Sequence, residues 1–535
     1  MQIRFHKLFT KTIFVLVFAT SSFAQTNKPN IILIMADDMG FSDIGSYGSE
    51  INTPNLDRLA KEGTRLRQCY NGGICAPSRA SLLTGQNPHK AGIGFFNRDL
   101  GLPAYQGYLN KESLTIAEVL KTGGYSTYMV GKWHVGNEPD KWPLKRGFDK
   151  FFGFIDGGLS FWDTKPIIKG GPFSSKLYEG DKEFTITDKN HYLTDALTDK
   201  AIGYLKEKSN KNPFFLYMAY NAPHWPMHAK PTDIEKYKGK YDLGWDSLRT
   251  IRHQNLVKLG LVDANAVAVK DKSLPVWNKL TYDEKQMWVK KMEVYAAMVD
   301  NLDQNIGKLL KYLEETKQLD NTLIVFISDN GAEDWDFSKM PMAINRSSGT
   351  VGTAGSNESY TKNWAQLSNM PFRSYKSTPY EGGLSSPFIA RLPKVIPANE
   401  IQQGAVHITD ILPSFIELAG IEYPKTYNGI TPNALNGVSF ISSIKTNQWN
   451  RSKPIFHEWA GYRTVWDGRW KAVSNYPENK WELYDLSVDR TESKNVANQF
   501  PEIVSKINEA YKNWAKENAV TEWNEALAEK TGFKK

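Results

Sequence analysis

The 535-residue chain is poor in cysteine: it has two, Cys69 and Cys75. That excludes a fold stapled by a disulfide framework, and it excludes a zinc site built from several thiolates. Within one chain, the only cross-link left is a Cys69–Cys75 disulfide. Long apolar runs are missing as well. The early run from Ile13 to Ala19 is too short to span a bilayer comfortably. Arg4, Lys7 and Lys11 precede it and Ser22-Phe23-Ala24 offers a cleavage site, so residues 1–24 read as a secretory signal peptide. No cysteine follows the leader, which argues against a lipid anchor. The expected location is outside the cytoplasm, periplasmic or secreted, with no membrane span in the mature chain. Lys/Arg blocks, internal repeats and low-complexity tracts are also lacking, so no nucleic-acid partner is expected.

Removing the leader takes away three positive charges and no acidic ones, and the formal net charge falls from +8 to +5. This mild positive bias is compatible with an anionic substrate without specifying one. Aromatic residues are plentiful, with 16 Trp and 25 Tyr, which suits a carbohydrate-stacking surface and a large core equally. Four apolar runs read as buried strands: 30–36, 125–130, 214–220 and 322–328. Between them fall helical patterns at 54–61 and 113–121. A longer one carries Met292, Tyr295, Met298, Leu302, Ile306, Leu309 and Leu313 at helical spacing. Strands alternating with helices predict an α/β domain with a mostly parallel central sheet flanked by helices, over residues 25–450. The polar and aromatic stretch 225–290 reads as an inserted helical lobe. After residue 450 the rhythm changes to short strands at 454–459, 462–467, 470–474 and 482–486, closed by a helix over 502–518. These predict a smaller C-terminal α+β subdomain with an antiparallel sheet, over residues 451–535.

Strand 30–36 runs straight into Asp37-Asp38, and strand 322–328 into Asp329-Asn330-Gly331. Two adjacent carboxylates repel by roughly 4 kcal/mol at about 4 Å and an effective dielectric near ~20. A hard divalent cation removes that penalty. The carboxyl ends of neighbouring parallel strands form the ligand crevice of an α/β sheet, so these two strand ends can offer four oxygen ligands to one ion. The run Cys75-Ala76-Pro77-Ser78-Arg79, closed by Thr84-Gly85, reads as a helix with Pro77 in its first turn and Gly85 as its stop. Residue 75 then lies just before a helix N-terminus, where free N–H groups favour an anion.

That last run resembles the signature of the type I, formylglycine-dependent sulfatases, the arylsulfatase-like branch of the alkaline phosphatase superfamily. The resemblance extends from about Asn30 to Asp489. It includes Gly131-Lys132-Trp133-His134-Val135-Gly136, Ala222-Pro223-His224, and Lys376 ahead of Tyr380-Glu381-Gly382-Gly383. In that family a maturation enzyme oxidises the cysteine to formylglycine, whose hydrate attacks the sulfur of a sulfate ester. The resemblance implies Asp37, Asp38, Asp329, Asn330 and the matured Cys75 as ligands of one Ca²⁺. It implies Lys132, Lys376 and Arg79 as the groups that offset negative charge, His134 as the base that releases sulfate, and His224 as the donor to the leaving alcohol. His407-Ile408-Thr409-Asp410 also matches and reads as structural.

The implied substrate is a sulfated small molecule or glycan, with a sulfated sugar preferred over a phenol sulfate. The arylsulfatase-like branch commonly carries Trp-Glu-His-x-Gly-Asn-Arg where this chain has His457-Glu458-Trp459-Ala460-Gly461-Tyr462-Arg463, so the resemblance does not carry the substrate with it. Two alternatives stand beside the sulfatase. One is a phosphonate or phosphodiester hydrolase of the same superfamily. The other is a non-catalytic sulfated-glycan-binding protein whose Cys75 is never matured.

Overall fold

The computed structural model describes residues 28–167, 176–208, 211–339 and 349–531. The predicted signal peptide lies outside the described residues. Ten strands form one sheet, numbered in chain order: β1 (Asn30–Ala36), β2 (Thr64–Tyr70), β3 (Ser126–Lys132), β4 (Lys150–Phe154), β5 (Leu177–Glu179), β6 (Lys182–Phe184), β7 (Phe214–Ala219), β8 (Thr322–Ser328), β9 (Phe388–Arg391) and β10 (Glu400–His407). Their spatial order is β10-β2-β9-β8-β1-β7-β3-β4-β5-β6. The pairs from β8 through β4 and the β10–β2 pair are parallel, whereas β9, β5 and β6 pair antiparallel. The expectation of a mostly parallel sheet therefore holds.

β1 is buried along its whole length because both faces are covered. Ile32 and Ile34 face one apolar layer with Met298, Leu302 and Ile306 of the helix Tyr282–Glu315. Ile31, Leu33 and Met35 face the other, with Leu82 and Leu83 of the helix Cys75–Thr84 (α2) and with Phe415. The register decides where the chemistry lies. Met35 is level with Ala219 of β7 and Ile327 of β8, and Gly131 of β3 is level with Ala219. The four central strands thus end together, and the segments that leave them share one edge of the sheet.

Four further strands, β11 (Ile455–Trp459), β12 (Tyr462–Asp467), β13 (Trp470–Ser474) and β14 (Trp481–Asp485), form an antiparallel meander. One face, with Val465, Ala472 and Leu483, packs on Ile507, Tyr511 and Trp514 of the helix Pro501–Glu517. The other, with Trp466, Val473 and Tyr484, packs on Tyr70, Tyr380 and Leu384 of the large domain.

Two expectations need correction. The helix expected from residue 113 starts at Ile116, because Thr115 and Glu118 cap it reciprocally. Cys75 is the first residue of α2 rather than the residue before it, with Ile74 at the cap position. Both cysteines are buried and free, so no Cys69–Cys75 disulfide exists here. The stretch 225–290 holds helices at Pro231–Glu235 and Gly244–Lys258 and the start of Tyr282–Glu315, with irregular segments between them. A short helix at Glu525–Thr531 had no counterpart in the sequence reading. Among the described residues, no helix is long and apolar enough to cross a membrane.

Candidate active site

Asp37 and Asp38 leave β1, Asp329 and Asn330 leave β8, Lys132 ends β3 with His134 two residues on, and His224 follows β7. Asp38 and His134 sit at φ of 64° and 60°. Left-handed backbone is uncommon for residues with a Cβ and is concentrated at functional sites.

Buried charges alternate across this edge. Arg79, wholly buried one turn into α2, donates from Nη2 and Nε to Asp329 Oδ2 at 2.8 and 3.2 Å, and from Nη1 to the Lys132 carbonyl at 3.2 Å. Its Nη2 lies 3.5 Å from Asp37 Oδ1. Lys132 Nζ donates to Asp37 Oδ2 at 2.7 Å. Lys376 Nζ lies 2.7 Å from Asp38 Oδ1 and 2.9 Å from Oδ2. Asn330 Nδ2 donates to Asp38 Oδ1 at 2.7 Å, and the Asp38 N–H donates to Asp329 Oδ1 at 3.2 Å. His224 Nε2 faces Asp38 Oδ2 at 3.5 Å, and its Nδ1 donates to the Trp225 carbonyl at 2.5 Å.

The electrostatics follow from burial and sign. Burial alone would raise the Asp38 carboxyl, yet Lys376, His224 and Lys132 together hold it well below the usual carboxylate range. Burial, then the Asp37 charge, pushes Asp329 up to about 7 against the pull of Arg79. Burial, with Lys132 and Lys376, takes His224 down to about 3 against the Asp38 charge. His134 is held well below its ordinary value by burial, Lys132 and Arg79. Burial pushes the Cys75 thiol up, with Asp37 and Asp329 adding to it and Lys132 and Lys376 opposing. The cysteine as encoded is therefore a buried, neutral thiol rather than a ready thiolate nucleophile.

The residues present fit a hard cation. Asp37, Asp38 and His224 each offer one ligand atom, and these atoms all lie within 4.8 Å of one another. Asp37 Oδ1 and Asn330 Oδ1 are buried and accept no hydrogen bond. Such oxygens are costly unless something outside the protein completes them. Carboxylate and amide oxygens are the donors that Ca²⁺ or Mg²⁺ prefers. His224 joins this group geometrically, although the sequence placed it only beside the leaving group.

The structure brings Cys75, Arg79, Lys132, His134, His224, Lys376, Asp37, Asp38, Asp329 and Asn330 to one edge of the sheet. It adds Glu333, which the sequence reading missed: its Oε2 lies 2.9 Å from Lys376 Nζ. Burial, with Asp38 and Asp334 nearby, raises the Glu333 carboxyl to about 7 against the Lys376 charge. Nothing in the sequence after Asp329-Asn330-Gly331 marks this carboxylate as one that meets Lys376. Aromatic rings flank the site: Phe96 stacks on His134 at 6.4 Å, and Trp225 stacks on Phe337 at 4.4 Å beside His224. His407-Ile408-Thr409-Asp410 lies elsewhere as a cap. Asp410 accepts from the His407 N–H at 2.8 Å, in keeping with its structural reading.

A family model described as Sulfatase matches residues 29–421, and one described as N-sulphoglucosamine sulphohydrolase, C-terminal, matches residues 375–517. An uncharacterized sulfatase of Schizosaccharomyces pombe is 36% identical over 543 residues, covering 95% of this chain and 98% of its own. An arylsulfatase of Klebsiella aerogenes is 34% identical over 414 residues, covering 75% of this chain and 89% of its own. The crystal structure of Ps i-CgsB in complex with k-i-k-neocarrahexaose is similar at a TM-score of 0.70 and 27% identity, over 94% of this chain and 97% of that one.

Proposed function

The chain belongs to the sulfatase family and is a sulfuric-ester hydrolase, and from that premise we propose that it desulfates a sulfated carbohydrate outside the cytoplasm. In this reading residues 1–24 are a leader, 25–450 the catalytic domain and 451–535 the C-terminal subdomain. The observation that carries the site assignment is the edge where Asp37, Asp38, Asp329 and Asn330 meet Lys132, Lys376 and Arg79 at the start of α2. A sugar is favoured over a phenol because a 27% identical structure holds an oligosaccharide and because aromatic rings flank both histidines.

Asp37, Asp38, Asp329 and Asn330 would hold a Ca²⁺ ion. When bound it supplies positive charge to sulfate oxygens, and Cys75 matured to formylglycine supplies the nucleophile. The chain's own residues do the rest. Lys132 and Lys376 bring two further buried positive charges to the sulfate. Arg79 keeps the start of α2 fixed to Asp329 and to the Lys132 carbonyl, so position 75 cannot drift from those cations. His134 is unprotonated in its surroundings and its buried Nδ1 has no hydrogen-bond partner, so the ring can take a proton as sulfate leaves. His224 spends its Nδ1 proton on the Trp225 carbonyl, which leaves Nε2 as the atom that serves the leaving oxygen. An anionic ester beside Nε2 raises that nitrogen's proton affinity, so substrate binding arms the acid.

The test is a mass spectrum of the tryptic peptide Gln68–Arg79 from protein made in its native host, run with assays on sulfated oligosaccharides and 4-nitrophenyl sulfate. The expected peptide is lighter by the difference between a thiol-bearing CH₂SH and an aldehyde CHO, in a preparation that releases sulfate from a sugar. An unmodified peptide in an active preparation would overturn the formylglycine assignment. Turnover of aryl sulfates alone would overturn the sugar.

A further inference from the structure

Lys376 is carried by a turn, and what holds the back of that turn is not in the large domain's strands. The turn is wedged between segments that carry site residues. Its Lys376 N–H donates to the Ala332 carbonyl at 3.0 Å, its Ser377 N–H to the Gly73 carbonyl at 2.8 Å, and Gly331 N–H donates to the Gly383 carbonyl at 3.0 Å. A Cβ on Gly331 would stand 1.8 Å from the Gly382 carbonyl oxygen, so the turn packs directly against the backbone that follows Asn330. Behind it, Glu381 is wholly buried with Lys471 of β13 and with Glu492, which sits at φ 57°. Lys471 Nζ lies 2.8 Å from Glu381 Oε1 and 2.8 Å from Glu492 Oε1. Glu492 Oε2 accepts the Glu381 backbone N–H at 2.8 Å, and Arg490 Nε lies 3.4 Å from Glu381 Oε2.

Lys471 and Arg490 meet the carboxyls of Glu381 and Glu492 in a buried space, where burial, against Lys471 and with Glu381 adding, raises Glu492 to about 7. Burying such a set is expensive, and removing one member leaves an unpaired charge that the surroundings must move to relieve. Lys471 is tied into a strand between β12 and β14, so the unpaired charge is relieved at the segment that carries Glu381 and, through its backbone hydrogen bonds, at the residues it touches. We propose that Lys471 and Glu492 are positioning residues: a buried ionic clamp from the C-terminal sheet sets the 376–383 turn, and through it the Lys376 ammonium and the Asn330-Gly331 backbone. This rests on the reading of Lys376 as a sulfate contact. The C-terminal subdomain is then part of the catalytic geometry rather than only a wall of the pocket.

Four proteins test this: the unsubstituted chain, Lys471→Met, Lys471→Arg and the near-isosteric Glu492→Gln. The first readout is amide hydrogen exchange without substrate. Lys471→Met and Glu492→Gln are expected to lose protection at 329–333 and 373–384 while β12 and β14 keep theirs. The second is kinetics on 4-nitrophenyl sulfate, with inorganic sulfate as inhibitor. Lys471→Met is expected to lose about tenfold in kcat/KM and to bind sulfate several-fold more weakly, and Lys471→Arg to recover most of both. Should Lys471→Met not fold, Glu492→Gln carries the same expectations, because it removes charge without volume. A lowered melting temperature with exchange changes confined to 470–492, and with kcat/KM and sulfate affinity unchanged, would overturn the clamp. Absence of turnover and sulfate binding in the unsubstituted chain would instead overturn the functional reading, and the exchange pattern would still decide whether the clamp sets the turn.

Discussion

Asp38 divides one carboxylate among Asn330, Lys376 and His224, and most of the site's behaviour follows from that division. His224 shows it best. Its Nε2 is placed by Asp38 on one side and by the Trp225 carbonyl, through Nδ1, on the other. A group so placed matters in proportion to the basicity of the oxygen it protonates. Replacing His224 with Ala should cost about a hundredfold in kcat on a sugar or alkyl sulfate, and less than about tenfold on 4-nitrophenyl sulfate, whose leaving group needs no proton. Equal losses on the two esters would remove its role as acid. The metal-ligand candidates were legible in the sequence because each pair ends an apolar strand. Lys132, His134 and His224 also follow strands closely, but their roles came from the family resemblance. Lys376 lies in a turn that no periodicity marks, and only the resemblance singled it out. Glu333 was not legible, since nothing in Asp329-Asn330-Gly331-Ala332-Glu333 says that the last side chain turns back to meet a lysine far along the chain.

At the level of elements, the long central strands read correctly because full burial writes itself as uninterrupted apolar sequence. Direction does not. β9 is four residues long and antiparallel, β5 and β6 three each, and such short pieces carry no recognisable period. Capping can shift a boundary by a full turn, as Thr115 and Glu118 do. A second cap makes a prediction. His407 ends β10 and accepts from the Thr409 N–H at 3.3 Å, with Thr409 Oγ1 at 2.8 Å, at the entry to the helix Ile411–Ala419. Burial, then Arg451 and His457, takes His407 down to about 3. Its folded-state value thus lies below the unfolded value of about 6.5, and the folded state prefers the neutral ring. The stability this contributes is present above pH ~6.5 and is lost as pH falls towards the folded value, by up to about 1.4 kcal/mol per pH unit. His457, also taken down to about 3 by burial, His89 and Lys471, adds a slope of the same sign. Melting temperatures of the unsubstituted chain should therefore fall between pH 6.5 and 4.5 more steeply than those of His407→Asn, which keeps an acceptor but does not titrate. Parallel slopes would show that protonation of this cap does not limit acid stability.

For the molecule as a whole, the site is a place where stability and function draw on the same charges. Asp37, Asp38 and Asp329 are buried together, and Arg79, Lys132 and Lys376 offset them from their outer sides. Asp37 Oδ1 and Asn330 Oδ1 accept no hydrogen bond from the protein, although Arg79 Nη2 stands 3.5 Å from the former. A divalent cation held there would tie the ends of β1 and β8, neighbouring strands near the middle of the sheet, and would favour the folded chain. Mass action would then make the melting temperature depend on the free cation, by about 2.7 kcal/mol at a concentration one hundred times Kd, or about two to three degrees for a chain of this size. Chelation should lower the melting temperature, added Ca²⁺ should restore it, and Mg²⁺, which keeps its waters, should restore less. In Asp38→Asn the melting temperature should respond far less to Ca²⁺, because one of the clustered carboxylates is gone. Cys75→Ala, which removes the nucleophile but leaves the four oxygen ligands, should keep its response to Ca²⁺. A melting temperature indifferent to chelator and Ca²⁺ in the unsubstituted chain would mean that the buried carboxylates are balanced by Arg79, Lys132 and Lys376 alone, and that the strand ends are held without an ion.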